Sequence, residues 1–320
     1  MATKQRTKRS TVVASTKRKQ RFSRRTSLLI AALATGFTGL ALMLSTSAAD
    51  QSIRFASYNV RTSTLNNNRW GDNNSFYDAD DARRMKGIAK VIQDRGLSLL
   101  AAQEVREKER AGMLNNLSGW NATGVKDNGE TVIFWRNDVW EIQGQAQTYR
   151  VRIDNDTTRP QVYALFQHKI SKQKVYVFDV HYAAGDRANL RLEAAKESVA
   201  KIRATAIQNN IPFILAGDMN ENDRVRGGVV DYLNSTGIMK YSRYVAKEKF
   251  HNDCDTHNGK AGLQGLQECG RANGGSHIDH VWVSQRQSVG VNIYNVYATS
   301  ETSRISDHNP LITAISFSNN

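Results

Sequence analysis

Beyond residue 50 the chain is a succession of short apolar or alternating runs, most of them closed by Gly, Asn, Asp or Pro. Runs at 53–60, 97–105, 131–136, 161–168, 175–182, 213–216, 278–284, 289–298 and 311–317 read as β-strands, whose side chains alternate between faces. Two stretches carry the helical period instead. Residues 81–95 place Met85, Ile88 and Ile92 on one face and stop at Gly96, a usual helix terminator. Residues 186–209 read as a longer helix with Leu192, Val199 and Ile202 along one side. Many strands and few helices, without strict β-α alternation, predict a layered α/β sandwich rather than a parallel doubly wound sheet.

The N-terminus follows a different pattern. Ten Lys and Arg residues gather before Asp50 without one acidic residue, ahead of an uncharged run at 28–44 and the small residues Ser47, Ala48 and Ala49. A basic segment, an apolar segment and a small-residue cleavage site are the parts of an export signal. Residues 1–49 are therefore expected to be a leader and 50–320 one continuous domain. The apolar run is near the length a membrane-spanning helix needs, so a retained anchor is the alternative to cleavage. Ser23-Arg24-Arg25-Thr26-Ser27-Leu28 also resembles a twin-arginine export signal, with Ser27 where an apolar residue is usual.

This leader changes the meaning of the net charge. The whole chain carries 44 Lys+Arg against 30 Asp+Glu, a formal +14, but without the leader 34 face 30, a net charge of +4. Bulk basicity thus gives no argument for nucleic-acid binding, which must rest on local clusters. Cys254 and Cys269, the only cysteines, share a polar, Gly-rich stretch of a chain read as exported. A disulfide is expected there, closing a short loop for about 3 kcal/mol in the chain-entropy model. The alternative, a zinc pair with His251 or His257, lacks a four-ligand spacing.

Polar residues appear where the apolar runs stop. Asn59 ends the first and Gln103-Glu104 the second; His181 closes VYVFDVHY, and ILAG runs into Asp218-Met219-Asn220. Ser276-His277-Ile278-Asp279-His280 opens a late strand, and Ser306-Asp307-His308-Asn309-Pro310 precedes the last. Taken singly, each has an ordinary turn or capping explanation. In this order and these strand contexts, from about Ser52 to Phe317, they resemble the endonuclease/exonuclease/phosphatase superfamily, the deoxyribonuclease I-like fold.

That resemblance implies a four-layer α/β/β/α sandwich with these loops meeting at one edge. It implies Glu104 as principal metal ligand, supported by Asn59 and Asp307, in an oxygen-rich site suited to Mg2+, with Mn2+ or Ca2+ as substitutes. It further implies that Asp218 orients or deprotonates the attacking water, that Asn220 and His181 hold phosphate oxygens, and that Asp279 steers a catalytic His308. Donors and a cation around a phosphate are what in-line displacement requires.

The superfamily hydrolyses several phosphoesters, so substrate rests on smaller features. His181 stands where the abasic-site repair branch has Tyr, and the segments around Asp218 and Asp279 lack the inositol-phosphatase patterns. The 240–276 stretch lacks the aromatic wedge of bacterial sphingomyelinases. Arg61, Arg69, Arg83, Arg84, Arg224 and Arg226 lie near the motifs, and Trp70 beside Arg69 could stack on a base. Arg83 and Arg84 read more simply as a solvated helix face or as partners of Asp80 and Asp81. Of these, Arg61, Trp70, Arg224 and Arg226 are the substrate-binding candidates. The expectation is an extracellular nuclease acting on DNA or RNA, with no obligate protein partner and membrane contact only through an uncleaved leader. A phospholipid or small-phosphoester hydrolase is the alternative, and an inactive surface-anchored binding module is a further one.

Overall fold

The computed structural model describes residues 52–63, 81–125, 129–257, 276–286 and 288–318. The leader, Arg69, Trp70, Asp80 and Cys269 lie outside the described residues. In chain order the elements are β1 (Ser52–Asn59), α1 (Asp81–Asp94), β2 (Leu99–Gln103), α2 (Glu107–Leu114), β3 (Trp120–Ala122), β4 (Thr131–Arg136), β5 (Trp140–Ile142), β6 (Gln147–Arg152), β7 (Thr158–His168) and β8 (Lys174–His181). There follow α3 (Ala188–Ile202), β9 (Phe213–Asp218), α4 (Val229–Ser235), β10 (Met239–Tyr241), α5 (Ser242–Val245), β11 (Glu248–Phe250), β12 (Asp279–Ser284), β13 (Val289–Val296), α6 (Thr302–Ile305) and β14 (Leu311–Phe317).

The strands form two sheets. One runs β11-β13-β14-β1-β2-β4-β3 and the other β10-β12-β9-β8-β7-β5, with β6 paired to β7. Period-2 alternation divides each inner strand between two buried faces. Phe55, Leu99, Ala101 and Ile133 of the first sheet meet Phe166, Val177, Ile214 and Val281 of the second in the central core. Ala56, Tyr58, Leu100 and Phe134 point outward, under Met85, Ile88 and Ile92 of α1. On the far side Phe178, Val180, Phe213 and Leu215 carry Ala194, Ala195 and Val199 of α3. Both faces being covered, the central strands are almost uniformly apolar. The result is the α/β/β/α sandwich of the deoxyribonuclease I-like type. Among the described residues no helix is long and apolar enough to cross a membrane.

Two expectations for the helices need correction. The second long helix was expected to be continuous over 186–209; it starts at Ala188, ends at Ile202 and continues as a wider π turn, Arg203–Ile207. Leu192 is only half-buried, and the core side of α3 instead presents Arg191, Ala194, Ala195 and Ser198. Small residues let this helix lie close to the sheet. The first helix ends as expected, with Gly96 at φ 61° and Leu97 N–H bonded to the Ile92 carbonyl.

Candidate active site

Strand pairing assembles the polar residues. Parallel pairing sets Asn59 beside Gln103, and also His181 beside Asp218; antiparallel pairing sets Asp279 on the other side of Asp218. His181, Asp218 and Asp279 are thus lateral neighbours at one end of the second sheet. Gly217 makes this spacing possible: its φ is 150°, and a Cβ there would lie 1.8 Å from the Val180 carbonyl oxygen. Arg61, Glu104 and Asn220 hold the left-handed conformation, at φ 55°, 58° and 52°. Such backbone costs on the order of 1–3 kcal/mol per residue and collects at functional sites.

Asn59 is the bridge between the sheets. Its Nδ2 donates to Glu104 Oε1 at 3.0 Å and to Asp218 Oδ2 at 3.1 Å, while its Oδ1 accepts from Arg61 N at 3.0 Å. The amide therefore turns its nitrogen, not its oxygen, toward the carboxylates. Glu104 Oε2 accepts from Thr62 N at 3.0 Å. Asp307 Oδ2 pairs with Arg61 Nη1 at 2.5 Å, and Ser306 Oγ donates to the Asn59 carbonyl at 2.7 Å. Asn220, expected at the phosphate, donates its Nδ2 to the Tyr182 carbonyl at 3.2 Å and its N–H to Asp218 Oδ1 at 2.8 Å.

Two histidines flank Asp218. His308 Nε2 and His181 Nε2 each lie 3.7 Å from its Oδ2. Behind His308, Asp279 Oδ2 meets Nδ1 at 2.7 Å; behind His181, Glu130 Oε2 stands 3.6 Å from Nδ1. Burial disfavours the charged form of both rings. For His308 the charge and hydrogen bond of Asp279, with the charges of Asp218 and Asp307, outweigh it and raise the pKa to about 10. For His181, burial acts together with the charges of Arg159 and His308 to hold the pKa well below the ordinary value. Burial, then the Asp279 charge, lifts Asp218 to about 7. Asp279 and Asp307 are held below the usual range because facing cations outweigh their burial, His308 first in each case.

Burial and the charge of Asp307 raise Glu104. Glu104 and Asp307, both half-buried and near enough for the charge of one to raise the pKa of the other, with Arg61 on the Asp307 side alone, fit a hard divalent cation by donor type and charge. Glu104 and Asp307 would supply the oxygens, and Asn59 fixes Glu104 through its amide nitrogen. Among the described residues the His and acidic atoms close enough to share an ion belong to Asp218, Asp279 and His308, all within 4.8 Å of one another. There His308 Nδ1 is already committed to Asp279 by a 2.7 Å hydrogen bond, while its Nε2 faces Asp218 Oδ2 at 3.7 Å, so the trio is a hydrogen-bonded His–Asp pair facing a third carboxylate.

Of the basic candidates, Arg224 and Arg226 are exposed in the loop after β9, whereas Arg61 is buried in its ion pair. Of the two readings for Arg84, the solvated face fails and the pairing with Asp81 holds, with Nε 3.7 Å from that carboxylate; the side chain is fully buried and bonds three backbone carbonyls. Sequence reading missed Glu130, Arg159 and Gln161. Arg159 pairs with Glu130 at 3.2 Å, and Gln161 takes the His181 N–H on Oε1 at 2.5 Å and returns Nε2 to the His181 carbonyl at 3.3 Å. His257, weighed in the sequence only as a zinc partner of the cysteines, packs its ring edge-on against His308 at 4.8 Å. The only sequence signal was polar residues beginning strands opposite His181. Cys254 is buried.

The family model of the Endonuclease/Exonuclease/phosphatase family matches residues 56–308, from the middle of β1 to His308 itself. The chain belongs to this family. None of the curated proteins matches it by sequence. Among solved structures, a family member from Bacteroides vulgatus matches with TM-score 0.66 at 18% identity, over 83% of this chain and 99% of that one. The mannosyl-6-phosphatase Bt3783 of Bacteroides thetaiotaomicron matches with TM-score 0.66 at 23% identity, over 83% and 100%. The catalytic domain of human Nocturnin matches with TM-score 0.59 at 16% identity, over 83% and 95%. At these identities they establish the shared fold. Family membership makes the chain a phosphoester hydrolase of that fold.

Proposed function

We propose that this family member is an exported, divalent-metal-dependent phosphodiesterase, a nuclease acting on DNA or RNA. The observation that supports it best is Asp218 standing between two histidines, beside a second carboxylate pair. Glu104 and Asp307 would hold the cation, which when bound stabilises charge developing on the phosphate oxygens. Asp218, with a pKa raised to about 7, orients a water and accepts its proton. His308, kept charged by Asp279, donates from Nε2 to a phosphate oxygen, and His181 holds a second oxygen as a neutral ring. Arg224 and Arg226, exposed after β9, extend the contact to neighbouring phosphates. Residues 1–49 serve export, either removed or retained as an anchor, and Cys254 pairs with Cys269 in that oxidising setting.

The test is to incubate the purified protein with plasmid DNA, RNA, sphingomyelin, mannose 6-phosphate and bis(4-nitrophenyl) phosphate, with Mg2+ and with chelator. Cleavage of nucleic acid that chelator abolishes and Mg2+ restores is expected. A second reading, a small-phosphoester phosphatase, is favoured by the similarity to the mannosyl-6-phosphatase. Release of phosphate from the sugar phosphate without nucleic-acid cleavage would select it, and lipid cleavage alone would sink the nuclease reading.

A further inference from the structure

The turns carrying Asn59 and Asp307 come from opposite ends of the described chain, yet one buried side chain reaches both. Arg84, on the core face of α1, donates Nη2 to the Arg61 carbonyl at 2.6 Å. Its Nη1 donates to the Ile305 carbonyl at 2.6 Å and to the Val60 carbonyl at 3.4 Å. Its nearest carboxylate, Asp81, lies 3.7 Å from Nε and is partly solvated. These carbonyls sit one residue from the chemistry on each side. Val60 follows Asn59, Arg61 pairs with Asp307, and Ile305 precedes Ser306, whose hydroxyl holds the Asn59 carbonyl. Thr62, next in line, gives its N–H to Glu104. Gly87, one turn along α1, lets the helix come close under Ile305: a Cβ there would lie 2.8 Å from its Cγ2.

A fully buried guanidinium is a poor way to stabilise a core, since an apolar residue of like volume avoids desolvating the charge. The planar fork does what an apolar residue cannot, which is to present several donors in fixed directions. We infer that Arg84 is a positioning residue, a staple that locks the Asn59–Thr62 turn to the Ile305–His308 turn and so sets the distance between the Glu104 and Asp307 carboxylates. This rests on the reading of those carboxylates as part of the active site.

Three variants test it: Arg84→Met, which fills the space without donors; Arg84→Lys, which keeps one charged donor; and Ile88→Val, which loosens the same helix but leaves Arg84 and its donors in place. In Arg84→Met the amides of 60–63 and 305–308 should exchange with deuterium about 10-fold faster, while those of β8 and β9 stay unchanged. The same variant should lose about 100-fold in kcat on bis(4-nitrophenyl) phosphate, with KM changed less than about threefold, as for a misplaced site. Arg84→Lys should fall between, and Ile88→Val should lower Tm without either effect. Unchanged exchange at the two turns in Arg84→Met would overturn the staple, as would an equal rise in Ile88→Val. Faster exchange with full kcat would overturn the positioning role. A parent protein inactive on every phosphoester would sink the functional reading, while the exchange pattern still decides whether the turns are stapled.

Discussion

His308 and His181 approach Asp218 at the same distance from opposite sides, but they are built for different charges. Asp279 touches the His308 ring in a buried, charge-assisted hydrogen bond, and the ring stays protonated. Glu130 stands back from His181 and is engaged by Arg159 and by Arg106 at 2.9 Å, so its negative charge is spent before it reaches the ring. His181 is left neutral in a dry setting. The lesson is that an acid behind a histidine does not by itself make a cation; its distance and its other partners decide. One fixed positive ring and one neutral ring beside the same carboxylate give the site a permanent charge on one side and an adaptable hydrogen-bonding group on the other.

The sharpest way to break the contrast is Asp279→Asn, which keeps a hydrogen-bonding group behind His308 and removes the charge. It should lower kcat on the order of 10³-fold. In the parent, activity should rise with pH as Asp218 deprotonates around 7 and fall as His308 loses its proton near 10. In Asp279→Asn the alkaline limb should move down by more than about one pH unit; an unmoved limb would show that Asp279 does not set the charge of His308. His181→Asn should cost less, about 10²-fold in kcat, with both limbs in place. Glu130→Gln should cost less than about 10-fold, since the pair it breaks is loose; a loss equal to that of Asp279→Asn would erase the distinction. The smallest effect concerns stability. Because the His308 pKa is raised on folding, its pairing with Asp279 stabilises fully below its ordinary value of 6.5 and fades as pH climbs through about 10. The Tm gap between parent and Asp279→Asn should narrow over that interval.

The same contrast shows what a sequence reveals. His308 and Asp279 were legible because each lies in a short polar cluster beside an apolar strand, and β4 and β14 have the limits their patterns predict. Glu130, Arg159 and Gln161 were not legible, because they reach His181 through strand register, a relation between distant segments that local pattern does not encode. β3, β5, β10 and β11 are three residues each, too short to show a period. Arg84 was misread for a different reason. On a helical wheel it lies beside Met85 and Ile88, but a cation on an apolar face reads as an edge of the solvated side until its carbonyl partners are known. The role of Asn59 depended on which end of its amide faces the carboxylates, and that of Asn220 on its side chain turning to the Tyr182 carbonyl; residue type alone is silent on both.

Gly217 carries no functional group, yet it governs how far apart His181 and Asp218 stand. In a library of random variants it should therefore behave like a catalytic position: even Gly217→Ala, the mildest change, should purge activity as thoroughly as changes at Asp218. A map of intolerance drawn across this protein would thus mark a glycine among the acids and histidines. There the protein is selecting for empty space, with the width of the opening fixed by the main chain rather than by any reagent that works inside it.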